Sequence, residues 1–261
     1  MKRIIALVLG LVVLAGCGAV VIDAPEDVTR ASEYTTIPSS TMKYPDPKSL
    51  RRAASLPEDN IYLYSDNDNM LLFQEGHATA FYGWGYEKYD YPELAYIDVD
   101  GDGEREIVAV TLAGAGTGLL LTNLHILKVT REPVSHNEPI YYKEFTFTHE
   151  EITAYIETNL KYKRGEKANT VDLTIDGKTF SADLDSEQIW LGEIKSGDHV
   201  YFRCKDGSVQ MRTILAACYE DGPPYGDAFD HLIADVIFDG KQISLKNFEL
   251  VPAEWPFWLE E

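Results

Sequence analysis

The feature that most restricts the fold is a series of short segments, from residue 61 onward, in which apolar and polar residues alternate between turn signals. Alternation with a period of two places one face of a strand against a core and the other toward solvent. Asp-Gly pairs lie between several of these segments, and both residues of such a pair adopt the positive φ angles of tight hairpin turns at low cost. The sequence therefore predicts hairpins around three Asp-Gly turns, at residues 171–184, 200–215 and 233–250.

The remaining elements follow from the same patterns. A hairpin is predicted around Asp66-Asn67-Asp68-Asn69, and further strands at residues 78–84, 94–97, 107–112 and 124–129. Thr148 with Glu151 forms a capping box, and apolar residues recur at helical spacing from Ile152 to Leu160. We therefore expect a β-dominated α+β fold of antiparallel hairpins with one clear helix, whose strand order the pattern does not determine.

The N-terminus has the features of an export signal. Lys2 and Arg3 precede an apolar run over residues 4–15, which is shorter than the roughly 20 residues that a membrane-spanning helix needs. The run closes in Leu14-Ala15-Gly16-Cys17, the pattern of a lipobox. We predict a lipoprotein signal peptide at residues 1–16 and lipid attachment at Cys17; an ordinary secretory signal with an incidental cysteine is the alternative. The predicted location is extracytoplasmic, with a lipid anchor in the bacterial cell membrane.

Composition divides the rest of the chain into two parts. Residues 17–58 are rich in proline, serine, threonine and charged residues, which favours a flexible tether, with a short helix at residues 48–56 before Pro57. Residues 59–261 are predicted to form a single β-rich, calcium-binding domain. The net charge of −20 at pH 7 argues against a nucleic-acid partner and against adsorption to anionic lipid, so contact with the membrane is expected through the lipid anchor only.

Two cysteines remain besides Cys17. A disulfide is permitted outside the cytoplasm. If Lys205-Asp206-Gly207-Ser208 is a hairpin turn, Cys204 lies opposite Val209 and not opposite Cys218, and a bridge would need a different strand arrangement. The sequence is therefore compatible with either of two arrangements, a pair of buried free thiols or a disulfide bond.

Residues 98–106, Asp-Val-Asp-Gly-Asp-Gly-Glu-Arg-Glu, carry acids at every second position and glycines where the chain must turn. Calcium takes six to eight oxygen ligands, which alternating carboxylates on a tight turn can supply. An EF-hand is excluded because position twelve is Ala109 and both flanks are predicted strands. The alternative is an acidic turn without a metal. We expect a structural calcium ion and not a catalytic one, because a hairpin turn wraps its ion.

The loop resembles the calcium hairpins of FG-GAP and VCBS-type repeats, Asp-x-Asp-x-Asp-Gly-x-x-Glu. The resemblance implies side-chain ligands from Asp98, Asp100, Asp102 and Glu106 and a backbone carbonyl ligand from Glu104. The order of parts along the chain also resembles a group of exported bacterial lipoproteins. That resemblance rests on the loop together with residues 91–94, 114–118, 124–127 and 238–241, and it implies location and fold without an activity.

Function is less constrained than fold. The Gly114–Gly118 stretch lacks the lysine of a P-loop and is expected to be a strand-to-strand loop or bulge. His125 is expected to be a strand residue with a satisfied nitrogen. Aromatic residues at 81–91 and 255–258 are expected to close the core or dock a terminus, with sugar or peptide stacking as the alternative.

No catalytic residues are predicted. We expect a binding or interaction module for an envelope protein or glycan, with a hydrolase or a sensor or inhibitor of a membrane partner as alternatives.

Overall fold

The computed structural model describes residues 50–66, 69–84, 91–116, 118–132, 140–223 and 226–252. The predicted signal peptide, Cys17, most of the tether and the aromatic residues at 255–258 lie outside the described residues. Within them are one α-helix, α1 (His149–Asn159), a 3₁₀ turn (Pro57–Asp59), and fifteen strands. The strands are β1 (Arg51–Leu56), β2 (Ile61–Asp66), β3 (Asn69–Gln74), β4 (His77–Tyr82), β5 (Glu93–Ile97), β6 (Glu106–Gly116), β7 (Leu119–Arg131), β8 (Tyr141–Phe147), β9 (Lys161–Arg164), β10 (Thr170–Ile175), β11 (Lys178–Asp183), β12 (Trp190–Lys205), β13 (Ser208–Tyr219), β14 (Asp227–Phe238) and β15 (Ile243–Pro252).

The strands form three sheets, and the β-dominated α+β fold is confirmed. The first sheet is an antiparallel meander in the order β1-β2-β3-β4, and the small sheet has the order β11-β10-β9. The main sheet has the order β15-β14-β13-β12-β7-β6-β5, with β8 paired to β7 beside this path. Its only parallel pairing within the described strands joins β7 to β12 through Leu120–His199 and Leu121–Val200.

Two of the Asp-Gly turns adopt the predicted geometry. Asp176 and Gly177 have φ angles of 49° and 72°, and Asp206 and Gly207 have φ angles of 52° and 78°. The third turn is longer, because β14 and β15 close through the pair Phe238–Ile243 and leave four residues between them. There the Asp239 carboxylate accepts hydrogen bonds from the backbone N–H groups of Lys241 and Gln242 and stabilises the wider loop.

The helix begins where the capping box predicts. The Glu151 backbone N–H donates to Thr148 Oγ1 at 3.2 Å, and the Thr148 N–H donates to Glu151 Oε2 at 2.8 Å. Ile152 and Ile156 are buried and anchor α1 in the core. No helix among the described residues combines the length and the apolar character that crossing a bilayer requires.

The helix predicted at residues 48–56 is wrong where the structure describes it, because residues 51–56 form strand β1. Alanine, leucine and arginine are good helix formers, but helix propensity amounts to less than about 1 kcal/mol per residue, and pairing with β2 overrides it. Ala54 and Leu56 also pack against a buried apolar cluster. The structured part of the chain therefore includes residues 51–58 of the segment that composition assigned to the tether.

Strand β6 is buried on both faces, which explains its uninterrupted apolar sequence. Val108 and Val110 belong to the larger core, which the main sheet forms with α1 and the small sheet. Ile107 and Ala109 point the other way, into a second core beneath the first sheet. The loop that precedes β6 is thus fixed to a strand that is buried on both faces.

The two described cysteines are free thiols. Cys204 lies opposite Val209, as the hairpin prediction requires. Cys218 is buried and Cys204 is partly buried. Burial, with the nearby Glu93 carboxylate, raises the pKa of Cys204 to about 12, so this thiol stays protonated at neutral pH.

Candidate metal centre

The acidic loop connects β5 to β6, whose last and first residues, Ile97 and Glu106, are paired. Gly101 and Gly103 have φ angles of 75° and 93° and allow the chain to fold back twice within the loop. Asp98 stabilises both bends. Its Oδ1 accepts from the Gly101 N–H at 2.7 Å, and its Oδ2 accepts from the Gly103 N–H at 3.0 Å.

In each of three further carboxylates, only one of the two oxygens accepts a hydrogen bond from a backbone N–H of the loop. Asp100 Oδ1 accepts from the Asp102 N–H, Asp102 Oδ1 from the Glu104 N–H, and Glu106 Oε2 from the Val99 N–H. The second oxygen of each group is left for another partner. The loop backbone therefore orients these side chains before any cation is bound.

Asp98, Asp100 and Glu106 can hold a metal ion. One carboxylate oxygen from each lies within 4.8 Å of the others, close enough for a single ion to bind all three. Carboxylate oxygens are the donors that hard cations prefer. Asp102 and Glu104 lie on the same loop but outside this group. Their roles as ligands stay predictions, as does the resemblance of the loop to FG-GAP and VCBS hairpins.

Glu106 is the most enclosed of these three carboxylates, with 1 % of its side chain exposed. Its Oε1 is buried and makes no hydrogen bond with the described residues. Burial of the carboxylate raises the pKa of Glu106, and the charge of Asp100 adds to that effect. A buried carboxylate oxygen without a hydrogen bond favours a cation beside it, either an ammonium group or a metal ion.

Lys128, on β7, reaches into this group of carboxylates. Its ammonium Nζ lies 2.6 Å from Asp100 Oδ2, closer still to Asp102 Oδ2, and 3.4 Å from Glu106 Oε1. The hydrogen bonds to Asp100 and Asp102, with Asp100 the main cause, raise the pKa of Lys128 well above its usual value, and the nearby Glu106 carboxylate adds to that effect. The same ammonium lowers the pKa of Asp102. Lys128 could not be predicted from the sequence, because no pattern in the chain indicates which residue of β7 lies beside the loop.

The turn between β14 and β15 also contacts the loop. A Cβ atom placed on Gly240 would lie 2.9 Å from Asp100 Oδ2, so a larger residue would displace this carboxylate, and the φ angle of 80° also favours glycine. Asp100 is accordingly 5 % exposed. Because β15 and β5 are at opposite ends of the strand order, the acidic loop is in contact with both ends of the main sheet.

A second group of polar side chains lies in the core under the first sheet. His125 Nδ1 is 2.7 Å from Glu144 Oε1, and His125 Nε2 is 2.9 Å from Thr111 Oγ1. The Trp84 indole N–H donates to the same Glu144 oxygen at 2.8 Å. An ionised carboxylate only accepts hydrogen bonds, so Nδ1 of His125 donates to Glu144, while Nε2 lies within hydrogen-bond distance of the threonine hydroxyl. The prediction that His125 has a satisfied nitrogen is confirmed for both nitrogens.

This hydroxyl–imidazole–carboxylate order is that of an activated nucleophile, but its position is unsuited to catalysis. Thr111, His125 and Glu144 are 1 %, 5 % and 3 % exposed, and the Trp84 ring stacks on the imidazole at 4.3 Å. The group instead connects β6, β7 and β8 to the segment that follows β4. Trp84 and Phe81 are thus core residues, as expected, whereas Tyr82 is exposed. The aromatic residues Tyr86 and Tyr89 lie outside the described residues.

An aromatic groove lies on the outer face of the first sheet. Ile61 and Leu63 of β2 point into the core, so the alternate residues Tyr62 and Tyr64 point outward. The groove has a volume of about 470 Å³ and is lined by Asn60, Tyr62, Tyr64, Phe73, Glu75 and Gly76. The Tyr64 and Phe73 rings meet edge to face at 5.1 Å. The hairpin of β2 and β3 was predicted from the sequence, but the aromatic groove on its outer face was not.

The glycine-rich segment Gly114–Gly118 has the expected structural role. Gly114 and Gly116 belong to the end of β6, where the pairing with β7 shifts register between Leu112 and Gly114. This irregularity is the bulge that the sequence predicts.

Comparison of the chain with protein-family models, with curated proteins and with solved structures gave no match.

Proposed function

We propose that this chain is an extracytoplasmic lipoprotein whose β-rich domain binds a glycan of the cell envelope and is stabilised by calcium. The observation that carries the binding role is the aromatic groove on the outer face of the first sheet. The N-terminal lipobox supports the location, and the acidic loop supports the metal. The carboxylates of Asp98, Asp100 and Glu106 fit a hard divalent cation. Asp102 and the Glu104 carbonyl would supply two more of the six to eight oxygens that Ca²⁺ takes, and water would supply the rest.

The lining of the groove favours a neutral sugar over a peptide or an anionic polymer. Tyr62, Tyr64 and Phe73 offer ring surface for the apolar faces of a pyranose, while Asn60 and Glu75 offer polar groups for its hydroxyls. A volume of about 470 Å³ suits a small ligand. The six lining residues include a carboxylate and no cation, and the chain carries a net charge of −20, so anionic polymers would be repelled.

We expect Tyr64→Ala to weaken binding of a neutral oligosaccharide by at least about tenfold, because truncating a central aromatic anchor costs roughly 2 kcal/mol or more. The measurement is calorimetric titration of the purified full-length protein with oligosaccharides selected from a neutral glycan panel. Tyr82→Ala is the matched control, since Tyr82 is an exposed tyrosine of the same sheet that does not line the groove. Failure of every neutral glycan to bind, or equal losses in the two variants, would refute the groove as the glycan site.

The lipid anchor has its own test. Cys17→Ser is expected to move the protein from the detergent phase to the aqueous phase in a phase-partition assay, because the thiol that carries the lipid is lost. Cys204→Ser, which changes a thiol inside the folded domain, should leave partitioning unchanged. An unaltered distribution of the Cys17 variant would mean that the cysteine carries no anchor.

The hydrolase alternative has less support. The hydroxyl–imidazole–carboxylate group of Thr111, His125 and Glu144 has the composition of a catalytic site, but its hydroxyl is enclosed in the core. A role as a sensor or inhibitor of a membrane partner is compatible with the anchor, and no contact among the described residues favours it over glycan binding.

A further inference from the structure

We infer that Lys128 is a built-in counter-ion of the acidic loop, which holds the loop when no metal is bound and which calcium has to displace. This inference rests on the proposed calcium site and concerns the regulation of that site. Calcium binding is then an exchange, in which the metal ion replaces the Lys128 ammonium beside the carboxylates of the loop.

The Lys128 ammonium occupies the position that a metal ion would need. The oxygens of Asp100, Asp102 and Glu106 that the loop backbone leaves free are the oxygens that face the Lys128 ammonium. A calcium ion bound at oxygen distances of about 2.3–2.6 Å would need the same atoms. Two cations cannot share them, because the ammonium would lie next to a doubly charged ion with its hydrogen-bond acceptors already taken.

The lysine, and not the buried carboxylate, is the group that can move out of this contact. Glu106 is 1 % exposed and is held by the Val99 N–H, so this ligand is fixed. Lys128 is 23 % exposed, and its ammonium ends a flexible four-carbon chain. The lysine can therefore swing toward solvent while the carboxylates remain in place.

The contacts of the Lys128 ammonium with the three carboxylates are unequal. Nζ forms close contacts to Asp100 and Asp102 but lies 3.4 Å from Glu106 Oε1, which has no hydrogen bond. The ammonium thus neutralises the carboxylates of Asp100 and Asp102 but leaves the buried Oε1 of Glu106 without a hydrogen bond. A divalent ion can contact all of these oxygens at once, which provides the driving force for the exchange.

The exchange has two consequences. The metal-free loop keeps its shape, so loss of calcium does not unfold the domain. The affinity for calcium is also lower than the carboxylates alone would give, because each binding event must break the Lys128 contacts. The lysine thereby sets the calcium concentration to which the loop responds.

The test compares Lys128→Met with Lys143→Met in the purified full-length protein. Lys143 is paired with Lys128 across β7 and β8, and its ammonium lies over the Phe145 ring, so its removal deletes the same charge at a neighbouring site outside the loop. Calorimetric titration with Ca²⁺ should show at least about tenfold tighter binding in Lys128→Met and a change of less than about twofold in Lys143→Met. In chelator, Lys128→Met should melt below the wild type, and saturating calcium should narrow the difference.

A second measurement needs no variant. Acetylation of the wild-type protein with an N-hydroxysuccinimide ester, followed by peptide mass spectrometry, should label Lys128 slowly in chelator and several-fold faster with Ca²⁺, because the displaced ammonium is no longer held by carboxylates. Labelling of Lys143 should not change.

The outcomes separate the two proposals. If the wild type binds calcium but neither the affinity of Lys128→Met nor the labelling of Lys128 changes, the counter-ion inference is wrong and the calcium site stands. If neither the wild type nor Lys128→Met binds calcium, both proposals fail, and Lys128 is a permanent replacement for the metal.

Discussion

Replacing Glu144 by alanine is expected to lower the free energy of unfolding by about 3–5 kcal/mol, because it removes one member of a buried, hydrogen-bonded pair. His125 Nδ1 and the Trp84 indole N–H would both lose the oxygen that they share. The first sheet should then separate from the main sheet more readily, since Trp84 connects the two. Urea denaturation followed by tryptophan fluorescence and by circular dichroism measures the loss.

Glu150→Ala is the matched control for this prediction. Glu150 also pairs with a histidine, His149, at 3.1 Å, but it is 69 % exposed. An exposed pair contributes less than about 1 kcal/mol, so this variant should unfold nearly as the wild type does. Glu144→Gln keeps the volume and one acceptor oxygen, and we expect an intermediate loss of about 1–3 kcal/mol. Equal stability of the Glu144 and Glu150 alanine variants would show that the buried group does not join the sheets.

Removing calcium is expected to lower the melting temperature without abolishing the cooperative transition. A ligand at a hundred times its dissociation constant stabilises the folded state by about 2.7 kcal/mol. For a domain of this size each kcal/mol corresponds to roughly 2–4 °C, so the expected shift is about 5–10 °C. Scanning calorimetry in chelator and in millimolar Ca²⁺ makes the comparison.

Glu106→Gln should make the melting temperature insensitive to calcium, because it converts the most buried ligand into a neutral amide with a single oxygen. Asp206→Asn removes a carboxylate from the turn between β12 and β13, outside the acidic loop, and should leave the calcium response intact. A wild-type melting temperature that is the same with and without chelator would contradict the proposed calcium site.

Local sequence signals correctly predict an element of the fold wherever the residues of that element determine its structure. Asp206-Gly207 can adopt two successive positive φ angles, and the turn forms as predicted. Thr148 and Glu151 supply both halves of a capping box, and α1 begins there. In the acidic loop, alternating aspartates turn inward on their own backbone N–H groups, so the group of Asp98, Asp100 and Glu106 follows from residue spacing.

Features that depend on distant pairing could not be predicted in this way. Residues 51–56 have a helical composition, but β2 offers an unpaired edge and the segment becomes β1. Lys128 meets the acidic loop only because β6 pairs with β7 in one particular register. His125 and Glu144 approach each other for the same reason, since β8 lies beside β7. The third Asp-Gly turn widened because the Asp239 side chain caps the loop itself.

The short parallel junction between β7 and β12 has a consequence for the order of assembly. Leu120 and Leu121 meet His199 and Val200 across an interval of almost eighty positions, whereas each hairpin joins neighbours only a few positions apart. Ordering so long an intervening segment carries a larger entropic penalty than closing a hairpin does. We therefore expect the hairpins to form early in folding and this junction to close late, so that the chain passes through partly folded forms whose halves are not yet joined.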